Sequence, residues 1–208
     1  MTNISIVAHR GWWLDKNEKN SQIAFNRALQ NGFGIETDIR DFDSKLVISH
    51  DIATKNSMTV DEFFENYKNS KANTMLALNI KSDCLCAELN KKIQQYNILN
   101  YFVFDMSIPD TLHYIKNNMN TYIRQSDIEN NIHFQNKIQG FWVDEMEKEW
   151  INADEISKLL LINKPLAIVS SELHGRDYKN QWHEIKKHKS NLILLCTDYP
   201  QEALKFFI

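Results

Sequence analysis

Cysteine, glycine and proline are all scarce in this 208-residue chain, which holds three Cys, five Gly and three Pro. The three cysteines, Cys84, Cys86 and Cys196, cannot all pair. The first two are expected on one helix, two positions apart, where side chains diverge. A disulfide scaffold is therefore excluded, and the thiols read as buried or inert groups of a reducing compartment. Glycine is too sparse for a phosphate-cradling loop after the first apolar run, because Gly11 stands alone before Trp12-Trp13. That argues against an open, doubly wound nucleotide-binding sheet. No run of about 18 apolar residues occurs, so no membrane span is expected. The chain start lacks a basic region and enters an apolar run at Ile4, leaving no room for a cleavable signal, and the protein reads as cytoplasmic. Neither sign of charge dominates: 24 Lys and Arg face 27 Asp and Glu, a formal net charge of −3. A nucleic-acid partner would call for a basic face. The one short basic run, Lys186-Lys187-His188-Lys189, reads as the exposed C-terminal end of a helix, where cations suit the helix dipole.

What is present is an ordinary globular balance, 43% hydrophobic and 25% charged, with no repeat, low-complexity tract or linker. One domain over residues 1–208 is expected. Apolar, β-branched and aromatic runs predict strands at 4–8, 34–39, 75–80, 101–105, 120–124, 139–143, 166–170 and 192–196. A short extra strand, 45–49, follows the second across the polar turn Asp41-Phe42-Asp43-Ser44. Helical patterns fill the gaps at 21–30, 84–96, 109–118, 150–162, 179–189 and 200–207. Another starts at Thr59-Val60-Asp61-Glu62, which has the spacing of a capping box. Segment 126–137 is polar and weakly periodic, so its helix is either a single turn or absent. Eight strands alternating with helices predict a compact (β/α)8 TIM barrel with a hairpin strand after strand 2, near the lower limit of about 200 residues for that fold.

In such a barrel the chemistry sits at the strand C-termini. The ends here are polar throughout: His9 and Arg10, Glu36 and Asp38, His50 past the hairpin, Asn79 and Lys81, Asp105, Arg124, Asp144 and Glu145, Ser170 to Glu172, then Thr197 and Asp198. Two imidazoles can trade a proton, two carboxylates can hold a divalent cation, and an arginine can grip an anion. Glu36 and Asp38 are two apart and so share one strand face. These are the parts needed to cleave a phosphate ester.

At His9-Arg10-Gly11, Glu36-Thr37-Asp38, His50-Asp51 and Thr197-Asp198-Tyr199-Pro200 the chain resembles the glycerophosphodiester phosphodiesterase family, relatives of the phosphatidylinositol-specific phospholipases C. The resemblance spans nearly the whole chain. It implies a metal-dependent phosphoric diester hydrolase that takes a small-molecule glycerophosphodiester-like substrate and releases an alcohol and a phosphomonoester. It further implies His9 and His50 as general acid and base in an undetermined order, with Arg10 and Lys81 on the phosphate. Glu36, Asp38 and Asn79 would hold Mg2+ or Ca2+, with Asp144, Glu145 and Glu172 as further candidates. Internal attack that makes a cyclic phosphate lies within the same chemistry.

Two departures stand out. Where the family has Glu-Asn-Thr before its first helix, this chain reads Glu18-Lys19-Asn20-Ser21, and where it has a third metal-binding glutamate this chain has Asn79. An amide oxygen ligates a hard cation without adding charge. A catalytically weak or inactive barrel that binds a phosphorylated sugar or polyol is therefore the alternative. Other readings stay paired as well. Lys81 either holds phosphate or neutralises Glu36. Trp12 and Trp13 either line the mouth or anchor their loop. His174 stands near the rim, whereas His113, His133, His183 and His188 read as surface residues.

Overall fold

The computed structural model describes residues 4–208. Nine strands form one sheet: β1 (Ser5–His9), β2 (Gly34–Phe42), β3 (Lys45–Ile48), β4 (Leu76–Ile80), β5 (Tyr101–Phe104), β6 (Tyr122–Gln125), β7 (Gly140–Val143), β8 (Leu166–Val169) and β9 (Ile193–Thr197). The order is β5-β4-β2-β1-β9-β8-β7-β6, with β3 set antiparallel on β2. Seven helices alternate with them: α1 (Gln22–Gln30), α2 (Val60–Asn69), α3 (Cys86–Gln95), α4 (Ile108–Lys116), α5 (Ala153–Leu160), α6 (Lys179–Lys186) and α7 (Pro200–Phe207). This is the (β/α)8 barrel arrangement, with one hairpin strand added after the second strand. Among the described residues, no helix is long and apolar enough to cross a membrane.

Residue contacts divide the chain into two units, one of Ala8–Thr121 and the other of the chain start through Val7 with Tyr122–Ile208. In the first, β2 and β4 run parallel with Ile35 opposite Leu76 and Asp38 opposite Asn79, and β4 runs parallel to β5. Ile35, Ile39, Leu76 and Leu78 are wholly buried or nearly so, as expected of parallel strands covered on both faces. The helices lay apolar stripes on that sheet: Ala24, Phe25, Ala28 and Leu29 from α1, and Val60, Phe63, Phe64 and Tyr67 from α2. In the second unit β6, β7, β8 and β9 pair in parallel in chain order.

Helix boundaries follow local chemistry. Ser21 caps α1 by accepting from Ala24 N, and Thr59 forms the full capping box with Glu62. Each satisfies backbone donors that a helix start leaves unpaired. The basic run does end α6, since Lys186 is its last residue and Lys187 its cap. Segment 126–137 yields one short 3-10 turn, Ile132–Phe134. Cys84 is a correction. It lies before α3 rather than on it, exposed and in the left-handed region at φ 69°, while Cys86 opens the helix and is buried.

The turn after β1 needs its glycine. Gly11 has φ +81°, and a Cβ there would meet the Ala24 backbone carbon and Cβ at 2.9 Å. Gly32 also has positive φ (+75°) but nothing within 4 Å of its would-be Cβ. Gly11→Ala is therefore expected to cost about 2–5 kcal/mol in urea unfolding, against about 1–2 kcal/mol for Gly32→Ala. Equal losses would show that the approach of α1 to this turn does not constrain residue 11.

Candidate active site

Strand alternation turns Glu36 and Asp38 to the same face, and both are buried, at 2% and 1% exposure. Two ionised carboxylates in such a place are costly unless partnered. The partners come from the neighbouring strand ends. Arg10, just past β1, donates its backbone N–H to Glu36 Oε2 at 3.1 Å and sets its Nε 3.3 Å from Asp38 Oδ2. Lys81, just past β4, places Nζ 3.4 Å from Asp38 Oδ1. His9 Nε2 lies 3.8 Å from Glu36 Oε2. The ion pair made by Lys81 is thus with Asp38 rather than with Glu36.

These partners are unevenly shared. Asp38 also accepts from Asn20 Nδ2 at 2.8 Å, and Asn20 Oδ1 in turn accepts from Thr37 Oγ1 at 2.8 Å. Glu36 receives less. Burial, followed by repulsion from Asp38, pushes its carboxyl up to about 8 although Arg10 and Lys81 pull it down. Beside them Asn79, opposite Asp38 in the β2–β4 register, holds a buried Oδ1 with no hydrogen-bond partner among the described residues.

An acceptor of that kind, next to a carboxylate that resists carrying its charge, suits a hard cation. The donor set Glu36, Asp38 and Asn79 Oδ1 fits one. It carries only two negative charges. Among the described residues no three His, Cys, Asp or Glu side chains converge on a metal-sized site, so an ion here would lean on the Asn79 amide.

His50 reaches this region by way of the hairpin. β3 runs back along β2 with Ile39 opposite Ile48, and Ser49 N donates to Asp38 O at 3.0 Å. The imidazole is 41% exposed and its Nδ1 lies 2.9 Å from Asp51 Oδ1. That contact holds the exposed Asp51 carboxyl below its usual range. With Nδ1 so engaged, Nε2 is the nitrogen left for a ligand.

Both tryptophans anchor the loop between β1 and α1. Trp13 Nε1 donates to His9 O at 3.2 Å with Lys19 Nζ over its ring, and Trp12 meets Phe33 edge-on. Glu18 is a loop brace too, accepting from Leu14 N and from Arg27 Nη1 at 2.8 Å.

In the other unit, Asp144 Oδ1 sits 2.7 Å from His174 Nε2 and accepts from Glu145 N at 2.8 Å. Two of the further metal candidates have their oxygens committed. Glu145 accepts from Trp150 N, Ile151 N and Ser171 Oγ at 2.9–3.0 Å. Glu172 accepts from Ser170 Oγ, Thr197 Oγ1 and Asp198 N. These bonds fasten loops to strand ends.

No protein-family model matches the chain, and no curated protein matches it. Solved structures do. A glycerophosphodiester phosphodiesterase from Parabacteroides distasonis superposes with a TM-score of 0.78 at 16% identity, over 99% of this chain and 97% of that one. A phosphodiesterase from Oleispira antarctica, solved with the product sn-glycerol-3-phosphate, gives 0.73 at 14% identity, covering 97% and 96%. A Ca2+-dependent phosphatidylinositol-specific phospholipase C from Streptomyces antibioticus gives 0.63 at 8% identity, covering 99% and 96%. The chain has the fold of the glycerophosphodiester phosphodiesterases. At these identities the likeness is one of fold.

Two residues beside the site lie outside the roles assigned from the sequence. Asn20, which donates to Asp38, has as its cue an Asn two residues after Glu18 and just before the capping Ser21. Arg40 follows Asp38 by two on the same strand face and lies against His50 O. Burial of Glu36 also has a consequence for stability. Its carboxyl binds a proton in the folded chain up to about 8 but in the unfolded chain only to about 4.3. Stability is then fully present below the unfolded value and falls as pH rises through the window between them. Metal-free protein is expected to lose on the order of a few kcal/mol across that window, and Glu36→Gln to lose much less. Urea midpoints measured in EDTA at both ends of the window decide it; parallel losses would reject a protonated Glu36.

Proposed function

We propose that the protein is a phosphoric diester hydrolase acting on a small glycerophosphodiester-like substrate, from which it releases an alcohol and a phosphomonoester. One observation carries the reading. His9, Arg10 and Lys81 converge on the buried Glu36–Asp38 pair at strand ends of this barrel. The Oleispira neighbour holds a product of that class, sn-glycerol-3-phosphate.

The roles follow from the side chains. Arg10 offers a guanidinium fork to phosphate oxygens and Lys81 adds a point charge. One of His9 and His50 takes the proton of the attacking water or hydroxyl as its oxygen bonds to phosphorus. The other gives a proton to the alkoxide as its bond to phosphorus breaks, since an alkoxide leaves poorly without one. Glu36, Asp38 and Asn79 would hold Mg2+ or Ca2+. When bound, that ion neutralises charge on a phosphoryl oxygen. A second reading, a barrel that binds a phosphorylated sugar or polyol without turning it over, is favoured by the neutral Asn79.

The deciding experiment is a screen of glycerophospho-headgroups and a chromogenic bis-aryl phosphodiester with Mg2+, Ca2+ or Mn2+ and in excess EDTA. Turnover that EDTA abolishes is expected. Undiminished turnover in EDTA rejects the metal requirement, and ligand uptake with no turnover under any condition favours the binding barrel. His9→Ala and His50→Ala should each lower kcat by about 10²–10⁴, with the larger loss on poor leaving groups marking the general acid. Wild-type rates in both would sink their assignment.

Asn79→Glu supplies a third carboxylate and is expected to tighten divalent-ion binding at least tenfold, about 1.4 kcal/mol, in calorimetric titration. Unchanged affinity would place Asn79 outside the coordination sphere.

A further inference from the structure

We infer that Arg40 is a positioning residue for His50, a role that rests on the phosphodiesterase reading above. His50 lies beyond the last residue of β3, in a segment without regular structure. Its partner Asp51 is 93% exposed and so cannot by itself hold the imidazole against the body of the protein. Ser49 Oγ donating to Asp51 O at 3.0 Å is likewise a contact within the same segment. Beyond the Ser49 N–H bond to Asp38, the tie from His50 itself to the sheet is Arg40. Its Nε and Nη2 lie 3.4 Å and 3.3 Å from His50 O.

The placement suits the task. Arg40 sits in β2 opposite Val47 of the hairpin, so its backbone is held on a rigid element. It follows Asp38 by two residues and shares that face. Both nitrogens approach one carbonyl, at the long end of hydrogen-bond distance, so the contact restrains the carbonyl from two directions. Among the described residues the guanidinium forms no ion pair within 4 Å; its hydrogen bonds go to this neutral oxygen, and its charge also favours the ionised Asp51 carboxyl. Holding the carbonyl fixes the His50 backbone, while Asp51 sets which ring nitrogen faces outward. Acid–base catalysis tolerates little error here: a displacement of about 1 Å can cost about a hundredfold in rate.

The test is a double-mutant cycle of Arg40→Met with His50→Ala, with Arg40→Lys alongside. On the diester that wild type turns over, Arg40→Met should lower kcat about 10–100-fold with KM nearly unchanged. Lysine, which keeps one charged donor, should recover part of the loss. In the His50→Ala background, Arg40→Met should cost nothing further. An equal loss in both backgrounds, or a rise in KM at constant kcat, would overturn the inference; the latter would make Arg40 a substrate contact. A second readout needs no turnover. In NMR relaxation of the wild type and Arg40→Met, the amides of residues 49–51 should lose order in the variant while those of β4 do not. Unchanged order at His50 overturns the positioning role. Absence of wild-type turnover on every diester would instead reject the hydrolase reading, leaving the relaxation result to decide the structural tie. If Arg40→Met fails to fold, Arg40→Gln takes its place in both measurements.

Discussion

Two carboxylates buried side by side on one face of β2 are the constraint around which the first unit is organised. Glu36 and Asp38 are almost fully removed from water, and a pair of like charges in such a place cannot stand without donors. Strand order supplies them. β2 lies between β1 and β4, so the residues that follow those strands, Arg10 and Lys81, arrive from either side. Asn20, from the loop leading to α1, adds a neutral donor to Asp38. The balance favours Asp38, and Glu36 is left as the group that most resists its charge.

Much of the surrounding loop architecture serves that balance. Between β1 and α1 the chain turns through Arg10 and Gly11, both at positive φ, and packs against Ala24 where only a glycine fits. Asn20 N donates to Arg10 O at 2.9 Å, and Arg27 ties Glu18 to Trp12 O. The loop is thus closed on itself before its side chains meet β2. The hairpin strand has a comparable purpose. By running back along β2 it returns His50 to the level of Asp38, which a direct exit from β2 would carry away from it.

Asn79 separates affinity for an ion from affinity for an anion. With a carboxylate at that place the region would hold three acids against two bases. With an amide it holds two, and below a pH of about 8 a protonated Glu36 leaves the single charge of Asp38 facing both bases. An ion added there competes with Lys81 and Arg10 for Asp38. The amide oxygen is buried and has no hydrogen-bond partner among the described residues.

The alternation of strands and helices was legible along the chain, because burial on both faces of a parallel sheet leaves continuous apolar runs, and helix caps such as Ser21 and Thr59 leave local signatures. The sequence also showed that Glu36 and Asp38 share a strand face, since period-two alternation is a local property, but not that β2 runs past the expected residue 39 to Phe42 to pair with the hairpin strand, which leaves both acids inside the strand. Partnership was not legible. That Lys81 pairs with Asp38 rather than Glu36, that Glu145 and Glu172 accept from backbone and hydroxyl donors, and that Asn20 donates to Asp38 depend on which segments become neighbours. Cys84 shows the same limit at short range, where a left-handed residue ended a helix that periodicity would have extended. The contacts that tie Lys81 and Asn20 to Asp38 join segments well apart in the chain, over distances of a few ångströms. Only tertiary structure decides which donor comes within reach of which acceptor.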